Sequence, residues 1–439
     1  MQRRSVAFIL AFTFYFHSLW AKDTTLPLIT VTAAIDKKPS NLQLPRKNNV
    51  NSDTAYGNEK IEVAKKFGMN TQQLLSKLAG VSIGGGPLAI NQTPTFRGLS
   101  GNELNSVIDG VSNSFRGFGH NNMRLLPGSE LLKSITVDGS GDSLYGSGNM
   151  GGSIEYTTLD PQDYLRPGEK MGGELSQEFQ TGAPGFKSTV AVFSQWGKVS
   201  ALFKISGDRF HDIHLGNGKT LPYSAQNNLQ YLGKIVITPD AYQTVKLSIL
   251  SLQNVGTYSS LLNTSNPNSL SNFNLLQQQQ MLDYSFKPGS PYINFKAKLY
   301  HLDINQTLKP VEENKDVFPQ AIDIDTIGIF LKNTSKLGDN YLTYGMESAY
   351  QRGKDLYSGT TGNFPRAHAT QYAGFLRDKF DLTSKLQTIV GLRFDTRQSS
   401  NGILSNQVSH LGKEFGLNYH LTPIFSVYTK YAEGFRYPT

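Results

Sequence analysis

Histidine is the side chain here with the widest chemical reach, and there are eight: His17, His120, His211, His214, His301, His368, His410 and His420. A neutral imidazole nitrogen can ligate a metal. His120 stands in a glycine-flanked stretch, Gly117-Phe118-Gly119-His120-Asn121-Asn122. His211 and His214 are three apart, which on a strand places them on opposite faces. Shared ligation would need a turn, so they read as ordinary exposed histidines. Two glycine-rich runs imitate nucleotide sites. Gly146-Ser147-Gly148-Asn149-Met150-Gly151 satisfies G-x-G-x-x-G, but that fingerprint must open a helix whose N-terminus faces the pyrophosphate. Here an alternating strand, Ser153 to Thr157, follows it. Gly218-Lys219-Thr220 ends like a phosphate-binding loop, yet the position of the required upstream glycine holds Ile213. Cysteine is absent, and so are G-x-S-x-G and H-E-x-x-H. Catalysis has no foothold, and the chain is not expected to be an enzyme or to hold a cofactor or structural metal.

The elements around these residues are mainly strands. Val199, Ala201, Phe203 and Ile205 alternate with Ser200, Leu202, Lys204 and Ser206. The same period of two runs through Val245 to Ile249, Ile293 to Leu299 and Leu386 to Phe394, as in an antiparallel sheet with one apolar and one polar face. Short turns fall near Gly197-Lys198, Pro239-Asp240, Pro288-Gly289, Gly338-Asp339, Thr383-Ser384 and Thr422-Pro423. Long polar loops fall near 211–227, 254–276, 307–323, 353–368 and 399–407. Strict alternation of short and long connections is the layout of a transmembrane barrel. The pattern predicts ~13 strands from Met171 onward, each near the ~9–11 residues a tilted spanning strand needs.

Composition agrees. Only 38% of residues are hydrophobic and the mean hydropathy is −0.34, which excludes a bundle of membrane helices. No apolar run reaches the ~20 residues a spanning helix needs. Aromatics are nevertheless 11%, as suits a barrel whose two faces cancel in an averaged scale. The net charge of +8 is scattered rather than clustered, so no nucleic-acid partner is expected.

At the N-terminus, Met1 to Ala21 has the order of a secretory signal peptide: Arg3 and Arg4, an apolar core from Val6 to Phe16, then Ala21. Lys22 to Tyr56 is polar, interrupted by prolines and expected to be a flexible segment, extended or disordered. Inside it lies an isolated β-branched run, Leu28-Ile29-Thr30-Val31-Thr32-Ala33, suited to pairing with a partner's sheet edge. Leu74, Leu75 and Leu78 predict a helix over 70–81, and Leu125, Leu126, Leu131 and Leu132 a second over 123–134. The leucines of the second are expected to pack it on a small sheet, and Val107 to Val111 reads as a short apolar strand closed by an Asp109-Gly110 turn.

The stretch from Thr93 to Thr158 closely resembles the plug domain of TonB-dependent outer-membrane receptors. It carries Arg97-Gly98, the strand ending Asp109-Gly110-Val111, Leu144-Tyr145-Gly146-Ser147 and Gly151-Gly152 in the family's order and spacing. The resemblance implies an α+β plug over 57–165 inside an antiparallel barrel beginning at 166, with ~22 strands when complete. It also implies residence in the bacterial outer membrane, among its lipids, and energy-coupled uptake of iron as heme or a ferric chelate. Leu28 to Ala33 would be the TonB box that recruits the TonB–ExbB–ExbD complex. His120, with Asn121 where the family usually has glycine, would face the heme iron. Tyr431-Ala432-Glu433-Gly434-Phe435-Arg436-Tyr437-Pro438-Thr439 resembles a segment that lies mid-barrel in heme and hemoglobin receptors. The chain is therefore expected to be a fragment, completed by a second polypeptide or left by a broken gene. Rival expectations are the same fold carrying nickel or cobalamin, and a passive porin or adhesin, which has no use for a TonB box or a plug.

Overall fold

The computed structural model describes residues 54–56, 61, 68–86, 88–112, 125–138, 144, 150–259, 270–311, 319–357, 366–422 and 425–437. The leader at 1–21, the run at 28–33, His120, Asn121, Tyr145 and Gly146 lie outside them.

The first part is small and mixed. It contains β1 (Thr54–Tyr56), α1 (Thr71–Leu75), β2 (Val81–Gly84), β3 (Thr93–Phe96), β4 (Leu99–Ser100), β5 (Asn105–Ile108), β6 (Val111–Ser112), β7 (Leu132–Asp138) and β8 (Ser153–Thr158). A five-stranded sheet runs β1-β7-β8-β5-β6 and a three-stranded one β2-β3-β4. Thr54–Tyr56, the end of the segment expected to be merely extended, is an edge strand on β7. The first predicted helix exists but is shorter. Asn70 and Gln73 cap it reciprocally, and beyond Leu75 the chain tightens into turns, Leu78 N–H to the Leu75 carbonyl and Val81 N–H to that of Leu78. The second predicted helix is not there. After a 3₁₀ turn at Ser129–Leu131 the chain enters β7. The β-branched run Ile135-Thr136-Val137 pairs on both sides, with β1 and β8, and that pairing outweighs the helical spacing of the leucines. Leu125, Leu131 and Leu132 are buried as expected.

The second part is one antiparallel sheet of thirteen strands, β9 to β21 in sequence order, open at its two end strands. They are β9 (Met171–Gln180), β10 (Gly185–Trp196), β11 (Val199–Phe210), β12 (Gln226–Asp240), β13 (Gln243–Ser259), β14 (Leu270–Phe286) and β15 (Phe295–Pro310), then β16 (Gln320–Leu337), β17 (Asn340–Tyr357), β18 (Ala367–Thr383), β19 (Leu386–Ser400), β20 (Ser405–Thr422) and β21 (Phe425–Ala432). The strand number matches the pattern; the strand length does not. Strands such as β16 and β20 run to 18 residues, because the ladders continue past the apolar band. Outward on β16, Leu331, Ile329 and Ile327 give way to Asp325, which pairs with Arg352 and His301. The expected loop at 399–407 shrinks to four residues between Ser400 and Ser405, which pair with each other. Asn401 closes it by accepting from the Ile403 and Leu404 N–H groups.

The two faces of this sheet are reversed relative to a water-soluble protein. On β11, Phe203 is 48% exposed while Lys204 is 1% exposed. Val190, Val192, Ile235, Leu247, Ile249, Ile329, Leu392 and Phe415 are exposed with it. Such a continuous apolar outer face must meet lipid. Trp196, Tyr242, Tyr292, Tyr341 and Phe425 are exposed beside the short turns, where an aromatic girdle marks the interface. The inner face packs on the first part. A single buried cluster joins Leu75, Ile108, Leu132 and Tyr156 to Leu202, Leu232, Leu250 and Tyr258. The protein is mainly β: an α+β plug seated on the inside of an incomplete antiparallel barrel.

Candidate functional site

Two plug motifs turn out to be two-residue hairpins. Arg97-Gly98 joins β3 to β4 with φ of 51° and 83°, and Asp109-Gly110 joins β5 to β6 with φ of 49° and 80°. Positive φ at both central residues is the primed turn that matches strand twist, and Asp-Gly suits it. Arg97 lies over the ring of Phe96 at 4.8 Å. Gly151 and Gly152 bring β8 alongside β5. The Gly151 N–H donates to the Glu103 carbonyl at 2.7 Å, and the Asn105 N–H to that of Gly152 at 3.0 Å. A Cβ on Gly151 would stand 2.7 Å from that of Leu99 and 3.2 Å from the Glu103 carbonyl oxygen. Gly151→Ala is therefore expected to destabilise the plug by about 1–3 kcal/mol through overpacking, read as a shifted denaturant midpoint.

Asp109 does more than turn the chain. Its carboxylate accepts from the Thr158 N–H at 2.8 Å and hydroxyl at 2.5 Å, and it lies 3.5 Å from the Lys234 ammonium of the barrel wall. Lys234 also reaches Asp160 at 3.2 Å and donates to the Thr158 carbonyl at 3.2 Å. Lys246 meets Asp160 at 2.7 Å, and Lys133 ties Asp163 to the plug sheet at 2.8 Å. Burial alone would push the Asp109 carboxyl up. The Lys234 charge, the Thr158 hydrogen bonds and Lys298 outweigh it and hold the group below the usual carboxylate range. Asp160 is lowered in the same way, with burial opposed by Lys234 and then Lys246.

Further attachments hold the plug. Glu130 meets Lys187 of β10 at 2.5 Å. Burial raises this carboxyl, but Lys187 and the Ser206 hydroxyl prevail and bring it down to about 2. Beside it the Gly128 N–H donates to the Gln230 side chain at 2.7 Å. Farther on, Lys204 of β11 donates to the Tyr164 hydroxyl at 2.6 Å, and Tyr164 stacks on Phe193 at 4.7 Å. Gln279 of β14 donates to the Ile108 carbonyl at 3.0 Å. Among the described residues no group of three or more His, Asp or Glu is placed to hold a metal. The interface seats the plug against the inner face of the sheet through charge pairs and hydrogen bonds.

Of the residues the sequence singled out, the structure places Gly151 and Gly152 where the parallel β5–β8 pair begins and Asp109 and Gly110 at its opposite end, with Arg97-Gly98 on the separate β2-β3-β4 sheet. Sequence reasoning missed Asp160, Lys187, Lys234 and Lys246. Period two puts those lysines on the polar face, which was the available signal.

Residues 195–439 match the profile of the TonB dependent receptor-like β-barrel family, and residues 46–153 that of the TonB-dependent receptor plug domain. The Hemin receptor of Yersinia pestis is 24% identical over 377 residues, 83% of this chain and 55% of that protein. Heme/hemopexin utilization protein C of Haemophilus influenzae (strain 86-028NP) is 23% identical over 88% of this chain and 61% of its own length. The chain thus spans little more than half the length of these curated relatives. Among solved structures, the FrpB iron transporter from Neisseria meningitidis (F3-3 variant) superposes with a TM-score of 0.75 at 20% identity, covering 84% of this chain and 62% of that one. The Serratia marcescens hemophore receptor HasR, solved as a double mutant with its hemophore HasA and heme, gives 0.74 at 19% identity, covering 88% and 63%. At such identities the structures speak for the fold, and the sequence profiles for descent: the chain belongs to the TonB-dependent receptor family.

Proposed function

We propose that this chain supplies the plug and part of the barrel of a bacterial outer-membrane receptor that imports iron as heme or a ferric chelate, driven by TonB with ExbB and ExbD. The observation that carries the proposal is the plug seated by buried ion pairs on the inner face of a lipid-facing sheet. A passive pore has no use for such a plug, whereas an energised receptor must hold it closed and release it. The heme cargo is supported by the relatives, a hemin receptor and a heme/hemopexin utilization protein. In this reading residues 1–21 direct export and 22–56 present Leu28 to Ala33 to TonB. Residues 57–165 form the plug and 166–439 the wall. His120, beside Asn121, offers its imidazole to the heme iron from the plug.

The test uses the receptor with the strands that close its sheet, in a strain with no other heme uptake. Growth on heme, on a ferric chelate or on nickel as limiting source separates the cargoes, and indifference to all three removes metal uptake. His120→Ala is expected to weaken heme binding about tenfold or more, ~1.4 kcal/mol, in a titration of the heme absorbance band. Unchanged affinity removes His120 from the site.

A further inference from the structure

The ion pairs that seat the plug would leave the wall in different states on parting. Lys187 lies near the Gly185 end of β10, remote from the short Gly197-Lys198 turn. In the ladder it faces Glu178 of β9 on one side and Asp208 of β11 on the other, and the plug's Glu130 meets it at 2.5 Å. All four border a polar cavity of about 200 Å³ between plug and wall. Directly opposed cross-strand side chains lie within reach of one another, and the charges of Glu178 and Asp208 already act on the Lys187 ammonium. Glu130 and Asp208 repel each other across it. Asn228 donates to Asp208 at 2.9 Å and Gln180 to Glu178 at 3.2 Å, so both wall carboxylates are held in place. When Glu130 withdraws, Lys187 therefore keeps an acceptor on either side. The Ser206 hydroxyl, which also meets Glu130, keeps Thr189 at 3.0 Å. The neighbouring Gly128–Gln230 bond is neutral and leaves no charge behind.

Lys234 has no such cover. Its ladder neighbours are Leu202 and Ser248. Its described acceptors, Asp109, Asp160 and the Thr158 carbonyl, all belong to the plug. Its side chain is 2% exposed, against 17% for Lys187. Parting there strands a buried ammonium, which is the strongly destabilising way to break an ion pair.

We propose that Glu178 and Asp208 are relay acceptors for Lys187: they take its ammonium when Glu130 withdraws, so that the plug parts from the wall first at this end while Lys234 holds the other. The relay stands on the ladder register and the ion pairs; its use during import rests on the uptake function above.

The test is hydrogen exchange on the purified full chain in detergent, which reads local opening amide by amide. The Gly128 N–H, bonded to Gln230, reports on one end, and the Thr158 N–H, bonded to Asp109, on the other. In the parent Gly128 is expected to exchange at least tenfold faster than Thr158. The Glu178→Gln/Asp208→Asn variant keeps the side-chain shapes and removes the relay charges. In it Gly128 should exchange about tenfold more slowly than in the parent, with Thr158 unchanged, because withdrawal of Glu130 now strands Lys187. Carboxylates that merely stabilised the seated plug would give the opposite sign. Faster or unchanged exchange at Gly128 overturns the relay, and so does a parent in which both ends exchange together. Glu178→Gln alone is expected to act in the same direction by a smaller factor, and decides the question if the double variant does not fold. In the completed receptor the double variant is expected to bind heme at the surface as the parent does and to import it about tenfold more slowly. Slowed exchange with unchanged import overturns the use of the relay in uptake and leaves the relay itself standing. A parent that imports no heme refutes the uptake function, and the exchange arm still decides the relay.

Discussion

Replacing Lys234 with alanine is expected to loosen the plug by about 3–5 kcal/mol, the usual loss when one partner of a buried ion pair is removed. Its side chain is 2% exposed and is shared by Asp109 and Asp160. Without it, Asp109 keeps its Thr158 hydrogen bonds and the more distant Lys298, and Asp160 keeps Lys246, so neither carboxylate is wholly stranded. The loss should therefore fall toward the lower end for stability, while the plug, which loses its attachment to β12, becomes sensitive to protease at concentrations that spare the parent. Denaturant unfolding of the purified chain gives the first quantity and limited proteolysis the second. The Asp109→Asn/Lys234→Met pair should recover part of the loss, because the unpaired charge disappears with its partner. Lys133→Ala is the control: its side chain is 33% exposed, and exposed pairs contribute only ~0–1 kcal/mol. A Lys234→Ala loss no larger than that of Lys133→Ala would show that the plug is held by apolar packing alone.

The contrast between Asp109 and Lys234 shows which parts of the site could be read before the structure. Asp109-Gly110 is visible because turn chemistry is local: the backbone needs positive φ at two successive residues, and Asp-Gly supplies it. Gly151-Gly152 is visible for a related reason, a close approach that a Cβ would block. The strand count and lipid-facing face were visible because period two repeats along every strand. Lys234 was not visible as a partner. Periodicity says that it faces inward, but pairing it with Asp109 joins residues far apart in sequence, and any inward lysine would have served the pattern equally. The second helix failed for a similar reason. Leu125, Leu126, Leu131 and Leu132 have helical spacing, yet Ile135 to Val137 is claimed by strands on both sides. The strand lengths were underestimated because hydrocarbon thickness sets a minimum, and nothing stops a ladder where the lipid ends. His120 and Leu28 to Ala33 belong to the part of the reading that rests on resemblance and lies outside the described residues.

Acid is expected to unseat the plug, and Glu130 is one of the carboxylates through which it acts. Its carboxyl titrates at about 2 in the folded protein against 4.5 when unperturbed. A folded value below the unfolded one adds stability that is complete above about pH 5 and fades as pH falls toward 2, because the unfolded chain takes up the proton first. The difference corresponds to about 3 kcal/mol at neutral pH. Asp109 and Asp160 are lowered too, so the contacts of these three carboxylates weaken in the same direction. Stability of the purified chain should therefore fall steeply between pH 5 and pH 3, with the plug becoming cleavable before the sheet unfolds. Glu130→Gln should start lower at pH 7 and fall less over that interval. Its deficit at pH 7 should be smaller than the full value, because Glu178 and Asp208 also face Lys187 and partly neutralise it once Glu130 is gone. Equal pH slopes for Glu130→Gln and the parent would mean that Lys187 does not hold Glu130 ionised, and the plug would then be anchored at that end by the Gly128–Gln230 hydrogen bond and its apolar neighbours.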